Sequence, residues 1–139
     1  MKRSLFVDSS AWYALADRED VYHDRAAACL TDALSAYARL VTTNHVVGES
    51  YTLIRMRLGY AAAQQFLRSL EQSHKVELVF VAQDQEEAAF VLLRRHADQE
   101  FSFVDATSFV VMKALGIRDA FTFDHHFATL GFAMLPSVV

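Results

Sequence analysis

Apolar residues in this chain fall into short continuous runs that alternate with longer segments in which they recur every three or four positions. The run Ser4-Leu5-Phe6-Val7 ends on Asp8-Ser9-Ser10, and Ala11 to Ala16 then has helical character. That pattern predicts a buried strand, a turn in which Ser9 or Ser10 is the N-cap, and a helix. Asp17-Arg18-Glu19-Asp20 is a charged break, and the spacing of Cys29, Leu30, Ala33, Leu34, Tyr37 and Leu40 predicts a second helix from about Tyr22 to Arg39. Leu40-Val41-Thr42 reads as a brief strand, after which Thr43 or Asn44 caps a third helix that runs to Leu58 and stops at Gly59.

Tyr60 to Gln72 is an Ala-rich fourth helix with Phe66, Leu67 and Leu70 toward the core, and the β-branched run Val76 to Val81 is a strand. Asp84-x-x-Glu87 predicts a capping-box start for a fifth helix that ends near His96. From Ala106 to Gly116 only Ser108 and Lys113 clearly favour water, so this segment is expected to be a buried helix. Ser102 and Asp105 form an S-x-x-D capping box at its start. Ala120 to Phe123 is a strand ending on Asp124, His125 to Leu130 a helical turn or two, and Phe132 to Leu135 an edge strand. Strands separated by helices imply an α/β fold with a mainly parallel central sheet and helices on both faces, because parallel strands need crossover connections.

The length of 139 residues fits one domain, 1–139, able to bury about two-thirds of the surface its unfolded form exposes. A hydrophobic content of 53% with eleven Phe supplies the core. The longest uncharged run, Phe127 to Val139, is interrupted by Gly131 and Pro136 and is too short to span a bilayer. Met1-Lys2-Arg3-Ser4 leads to an acid within a few residues and lacks the apolar centre of a secretory signal, so a cytoplasmic protein without membrane contact is expected. Cys29 has no cysteine partner in the chain and reads as a small core residue. A net charge of -4 argues against a protein that coats nucleic acid electrostatically, but it is compatible with an enzyme whose acids are offset by bound metal.

The acids carry the candidate chemistry. Sites in open α/β sheets form beyond the carboxyl ends of the strands. Asp8 and Asp124 each follow a predicted strand, Asp105 opens the buried helix, and Glu49 interrupts the apolar stretch Val46-Val47-Gly48-Glu49-Ser50-Tyr51. Four acids converging there repel one another, and a hard divalent cation, Mg²⁺ or Mn²⁺, resolves the repulsion. Such an ion aligns a phosphodiester and activates a water. Each acid also has a structural reading: Asp8 and Asp124 as helix N-caps, Asp105 in its capping box, Glu49 paired with Arg55 or another nearby base. His45 and Glu49 lie one turn apart, but no H-E-x-x-H spacing exists, so His45 is read as a surface or capping residue. Arg55, Arg57, Arg94 and Arg95 are read as solvated helix-face charges.

Over essentially its whole length the chain resembles a PIN domain, specifically VapC-type toxins. The matching pieces are Phe6-Val7-Asp8-Ser9-Ser10-Ala11, Glu49 in the third helix, Phe101-Ser102-Phe103-Val104-Asp105-Ala106, and Phe121-Thr122-Phe123-Asp124-His125-His126-Phe127. The resemblance implies a three-layer α/β/α fold and a Mg²⁺-dependent endoribonuclease, with Mn²⁺ as substitute. It implies that Asp8, Glu49, Asp105 and Asp124 are the catalytic and metal-binding quartet, supported by the Ser9 or Thr122 hydroxyl. It further implies hydrolysis of RNA by a metal-activated water to 5'-phosphate and 3'-hydroxyl ends, a homodimer, and a cognate antitoxin, as in a type II toxin-antitoxin system. His125-His126 departs from the basic residue that relatives often carry beside the fourth acid.

Two alternatives stand beside this reading. A catalytically inactive PIN-like RNA-binding or scaffold protein is disfavoured by the presence of all four acids. A metal-dependent phosphatase of the haloacid-dehalogenase type wants a second Asp two residues after the first, where this chain has Ser10, and a receiver domain wants an acidic pair near the first strand. Nucleotide-binding glycine loops are absent from the sequence.

Overall fold

A strand buried on both faces must be apolar throughout and must be joined to a parallel neighbour by a helix. The computed structural model, which describes residues 3–137, shows that solution at each step. Met1, Lys2, Val138 and Val139 lie outside the described residues, so the ends of the 1–139 span and of the Phe127–Val139 run are not addressed. The described elements are β1 (Ser4–Val7), α1 (Ser9–Ala16), α2 (His23–Ala36), β2 (Arg39–Thr43), α3 (Asn44–Leu58), α4 (Tyr60–Gln72), β3 (Val76–Val79), α5 (Gln83–Arg95), α6 (Phe103–Leu115), β4 (Asp119–Phe121), α7 (His126–Thr129) and β5 (Ala133–Leu135).

All strand pairings are parallel, in the order β3-β2-β1-β4-β5. The chain moves outward from β1 to β3, then crosses back past β1 to β4 and β5. With right-handed crossovers this reversal places α1 to α4 on one face and α5 to α7 on the other, the three-layer α/β/α arrangement. The reversal falls between β1 and β4, paired as Leu5↔Asp119, Phe6↔Ala120 and Val7↔Phe121. Beyond the carboxyl ends of these two strands the connections diverge and leave a crevice.

Leu5, Phe6, Val7 and Phe121 are fully inaccessible, as two-sided burial requires. On the α6 side, Phe109 meets Phe101 at 5.2 Å and Phe127 at 4.9 Å between ring centroids, both edge-to-face. Burying each ring stabilises the fold by about 2 kcal/mol and fixes the segment that carries α7. α3 starts where Thr43 accepts a hydrogen bond from the Val46 amide at 3.1 Å, a cap worth about 1 kcal/mol. It ends at Gly59, whose φ of 99° lies where other residues are strained.

Several boundaries differ from the sequence-based expectation. α2 stops at Ala36, because Tyr37 is extended and its phenol donates to Asp119 at 2.7 Å, while Arg39 belongs to β2. α1 begins at Ser9 with Asp8 in the cap position, so neither Ser9 nor Ser10 is its N-cap. α5 begins at Gln83, and the Gln85 carboxamide accepts from the Ala82 amide in place of the expected Asp84 and Glu87 box. β3 ends at Val79, and β4 ends at Phe121, so Asp124 stands three residues beyond its strand. Ser108 is fully buried within α6, whereas Lys113 is exposed as expected. Cys29 packs against the core half-buried, and burial pushes its thiol up to about 11.

Candidate active site

Asp8 is placed by β1, whose last ladder bond runs from the Asp8 amide to the Phe121 carbonyl at 3.0 Å. It occupies the N-cap position of α1, yet its side chain does not cap. Instead Oδ2 accepts from Thr122 at 2.9 Å and from Ser10 at 3.0 Å. Those two hydroxyls also accept main-chain N–H bonds, Thr122 from Asp124 and Ser10 from Phe123, each at 3.0 Å. This network compensates for the early end of β4: it holds the loop 122–124 against α1 so that Asp124 still lines the same cleft as Asp8.

The other acids arrive from helices. Glu49 of α3 accepts from the Ser9 hydroxyl and not from Arg55, whose guanidinium lies 5.6 Å from the Tyr60 ring. Asp105 forms the expected capping box with Ser102: its Oδ2 accepts from the Ser102 amide and the Ser102 hydroxyl accepts from the Asp105 amide, both at 3.0 Å. The box engages one carboxylate oxygen, so capping and facing the cleft are compatible. Asp124 accepts from the His126 amide at 2.9 Å. The His126 Nδ1 lies 3.2 Å from Asp124 and 3.5 Å from Asp105, within ion-pair reach but without a hydrogen bond. Asp8, Glu49, Asp105 and Asp124 all line one cleft of about 480 Å³. A second groove of about 450 Å³ between α1, α2 and α4 is mainly apolar, and Arg18 is the only ionisable residue lining it among the described residues.

Burial dominates the electrostatics. It pushes the Asp8 carboxyl from 3.8 up to about 6, with the Asp105 charge adding and the Thr122 and Ser10 hydroxyls opposing. Asp105 is likewise raised, first by burial and then by Asp124, against the Ser102 amide and His126. These acids therefore face one another in a poorly solvated place where their joint ionisation is unfavourable.

The donor set fits a divalent cation. Oδ1 of Asp8 is buried with no hydrogen-bond partner, an arrangement that is costly for a carboxylate unless something positive compensates it. Asp105, Asp124 and His126 each offer a ligand atom, and these lie within 4.8 Å of one another. Oxygen donors suit Mg²⁺ or Mn²⁺, and an imidazole is better tolerated by Mn²⁺.

Several lining residues have a role in the site that the sequence pattern did not assign to them. Ser10 holds the Asp8 side chain, and its position two residues after Asp8 was the available signal. Arg57, read as a solvated charge, lines the cleft with its guanidinium 5.2 Å from the Tyr13 ring. Glu49, Leu53 and Arg57 follow the i, i+4, i+8 spacing of one helix face, which foretells this placement. His45 is half-buried and pairs with Glu86 at 2.8 Å, so it is neither a metal ligand with Glu49 nor a free surface residue. Tyr22, Phe123, Asp20, Glu100 and His126 complete the rim.

Comparison with known proteins gives a consistent picture. The family model described as PIN domain matches residues 5–133. The chain is 41% identical over 128 residues to the 23S rRNA-specific endonuclease VapC20 of Mycobacterium tuberculosis strain H37Rv, covering 92% of this chain and 95% of that protein. It is 25% identical over 114 residues to a VapC ribonuclease of Archaeoglobus fulgidus, covering 81% and 72% respectively. The crystal structure of M. tuberculosis VapC20, described as a sarcin-ricin loop cleaving toxin, superposes with a TM-score of 0.86 at 40% identity, covering 93% of this chain and 96% of that one.

The raised Asp8 carboxyl generates a stability prediction. Folded Asp8 holds its proton more tightly than the unfolded chain does, so its ionisation opposes folding. The penalty is absent below the unfolded value of 3.8 and complete above about 6. That difference corresponds to roughly 3 kcal/mol, part of which an asparagine forfeits through its own buried N–H. In chelator at pH 7.5, Asp8→Asn is expected to melt above wild type by the equivalent of about 1 kcal/mol, and the gap should close toward pH 4. Thermal melts at the two pH values check this. A variant that melts below wild type at both shows that the carboxylate is satisfied as it stands.

Proposed function

The chain belongs to the PIN domain family, and on that premise we propose that it is a toxin ribonuclease whose cleft hydrolyses an RNA phosphodiester with Asp8, Glu49, Asp105 and Asp124. The observation that carries the reading is the convergence of these acids on one cleft at the strand-order reversal, with one buried carboxylate oxygen of Asp8 left unpartnered. The same domain, taken as the whole chain, carries the activity.

Asp8, Asp105 and Asp124 would hold a divalent cation, Mg²⁺ or Mn²⁺, with Glu49 binding it directly or through water. When bound, that ion supplies charge neutralisation, alignment of the phosphodiester and a more acidic water. The protein's own groups supply orientation. Ser10 and Thr122 fix the rotamer of Asp8, Ser9 fixes Glu49, and Ser102 fixes Asp105, so the acids need little rearrangement during the reaction. Burial keeps Asp8 partly protonated near pH 6, a proton that Asp8 would release on taking up a cation.

The substrate proposed is the sarcin-ricin loop of 23S rRNA, supported by the names of the 41% identical relative and its crystal structure. A loop offers unstacked bases and a distinctive shape, the features by which proteins recognise RNA specifically. VapC toxins pair with antitoxins, and a cognate antitoxin is the proposed partner here. No helix among the described residues is long and apolar enough to cross a membrane, and the cytoplasm is the proposed compartment. A homodimer is proposed from exposed apolar side chains near the end of α3, along and just beyond β3, and along α5, with Met56 at 79% and Phe80 at 71% exposure.

Two measurements test this. Asp105→Asn keeps the oxygen that accepts from the Ser102 amide but loses the charge, so it should remain folded while cleavage of a sarcin-ricin hairpin in Mg²⁺ or Mn²⁺ falls by more than about 100-fold. A folded Asp105→Asn protein with full metal-dependent activity contradicts the assignment. Sedimentation at micromolar concentration should give twice the 15.7 kDa chain mass, and a monomeric mass throughout that range contradicts the dimer.

A further inference from the structure

The cleft presents an electrostatic difficulty to RNA. Asp8, Asp20, Glu49, Glu100, Asp105 and Asp124 line it, and Arg57 is its only lysine or arginine among the described residues. A bound cation offsets the acids at the centre but leaves the rim short of phosphate-binding charge. The uncharged faces of nucleobases meet no such repulsion. At one side of the cleft the rings of Tyr22 and Phe123 stack, with centroids 4.4 Å apart and planes inclined by 11°. Phe123 directly precedes Asp124, and its amide is held by Ser10, the same hydroxyl that orients Asp8. Tyr22 is held by its own amide, which donates to Asp20 at 3.0 Å, in the cap position of α2. The Arg25 guanidinium lies beside both rings, 6.0 Å from the Tyr22 centroid and 5.8 Å from that of Phe123.

Tyr22 remains 40% exposed although Phe123 stacks against it. An aromatic ring that is fixed at its backbone, backed by a second ring and open to a ribonucleolytic cleft has the properties of a base-stacking platform. We propose that Tyr22, supported by Phe123, receives an unpaired nucleobase adjacent to the cleaved phosphate, and so restricts cleavage to RNA that can swing a base out of its stack. Duplex RNA, whose bases are already stacked on one another, is refused. The network that orients Asp8 thereby also sets the distance from the platform to the acids, through Ser10 and the main chain at Phe123.

The inference rests on the ribonuclease reading, and the experiment separates their failures. Steady-state cleavage of the sarcin-ricin hairpin is measured for wild type, Tyr22→Ala, Tyr22→Phe and, as a control at an exposed neighbour, Val21→Ala. Stacking acts on bound substrate and transition state alike, so Tyr22→Ala should raise KM about 10-fold with kcat little changed, while Tyr22→Phe and Val21→Ala stay near wild type. A wild-type KM for Tyr22→Ala overturns the platform.

A second measurement decides the matter if the hairpin is not cut and the substrate reading fails. In the Asp105→Asn background with Mg²⁺, a short single-stranded RNA of mixed sequence carrying 2-aminopurine is titrated with protein. Quenching that is lost in Tyr22→Ala and kept in Tyr22→Phe supports stacking. Equal emission with and without the Tyr22 ring overturns it.

Discussion

Like charges gathered in a poorly solvated cleft repel one another, and much of this structure is arranged around holding them there. Asp8 is nearly inaccessible, and Asp105 and Asp124 add their charges to the same space. A fold gains nothing from such an arrangement by itself. The fixed hydroxyls of Ser10 and Thr122 satisfy one oxygen of Asp8, and that of Ser9 one oxygen of Glu49. The Ser102 and His126 amides do the same for Asp105 and Asp124, and the remainder faces the cleft. The resulting excess of negative charge is what a divalent cation would offset, so the tension among the acids and an affinity for metal would have the same origin.

The scaffold makes this arrangement affordable by separating stability from chemistry. The stabilising elements are the two-sided sheet, the edge-to-face phenylalanines beneath α6 and α7, and the Thr43 and Ser102 caps. Asp8, Asp105 and Asp124 sit at or just beyond the ends of such elements, and Glu49 lies on the face of α3 that lines the cleft. Asp105 is the exception that joins the two roles: one carboxylate oxygen closes the capping box while the charge is shared with the cleft.

Much of the fold was legible because its strands are short, apolar and interrupted by caps and charged breaks. The Thr43 start and Gly59 end of α3, the extent of α4 and the Ser102 box could each be read from neighbouring residues. Two of the displaced features are decided by distant partners, whereas the start of α5 is set locally by Gln85 reaching back to the Ala82 amide. Asp119 draws Tyr37 out of the helical pattern, and the Ser10 and Thr122 hydroxyls hold the loop that carries Asp124 beyond the end of β4. The positions of the four acids were readable from chain order and helix spacing. The Tyr22 and Phe123 stack was not, because nothing local in either segment specifies the other. Arg57 lay within reach of helical periodicity and was passed over because charged residues on helix faces are usually solvated.

Calorimetric titration of the wild-type protein with Mn²⁺, repeated in buffers of different ionisation enthalpy, tests the central claim most directly, because cation binding to converging acids with raised affinity for protons must release those protons. With Asp8 titrating near about 6, the expected release is about half a proton or more per ion at pH 6, falling toward zero at pH 8. Absence of binding heat at both pH values, or binding with no proton release at pH 6, would contradict the claim that these acids form a cation site under mutual repulsion.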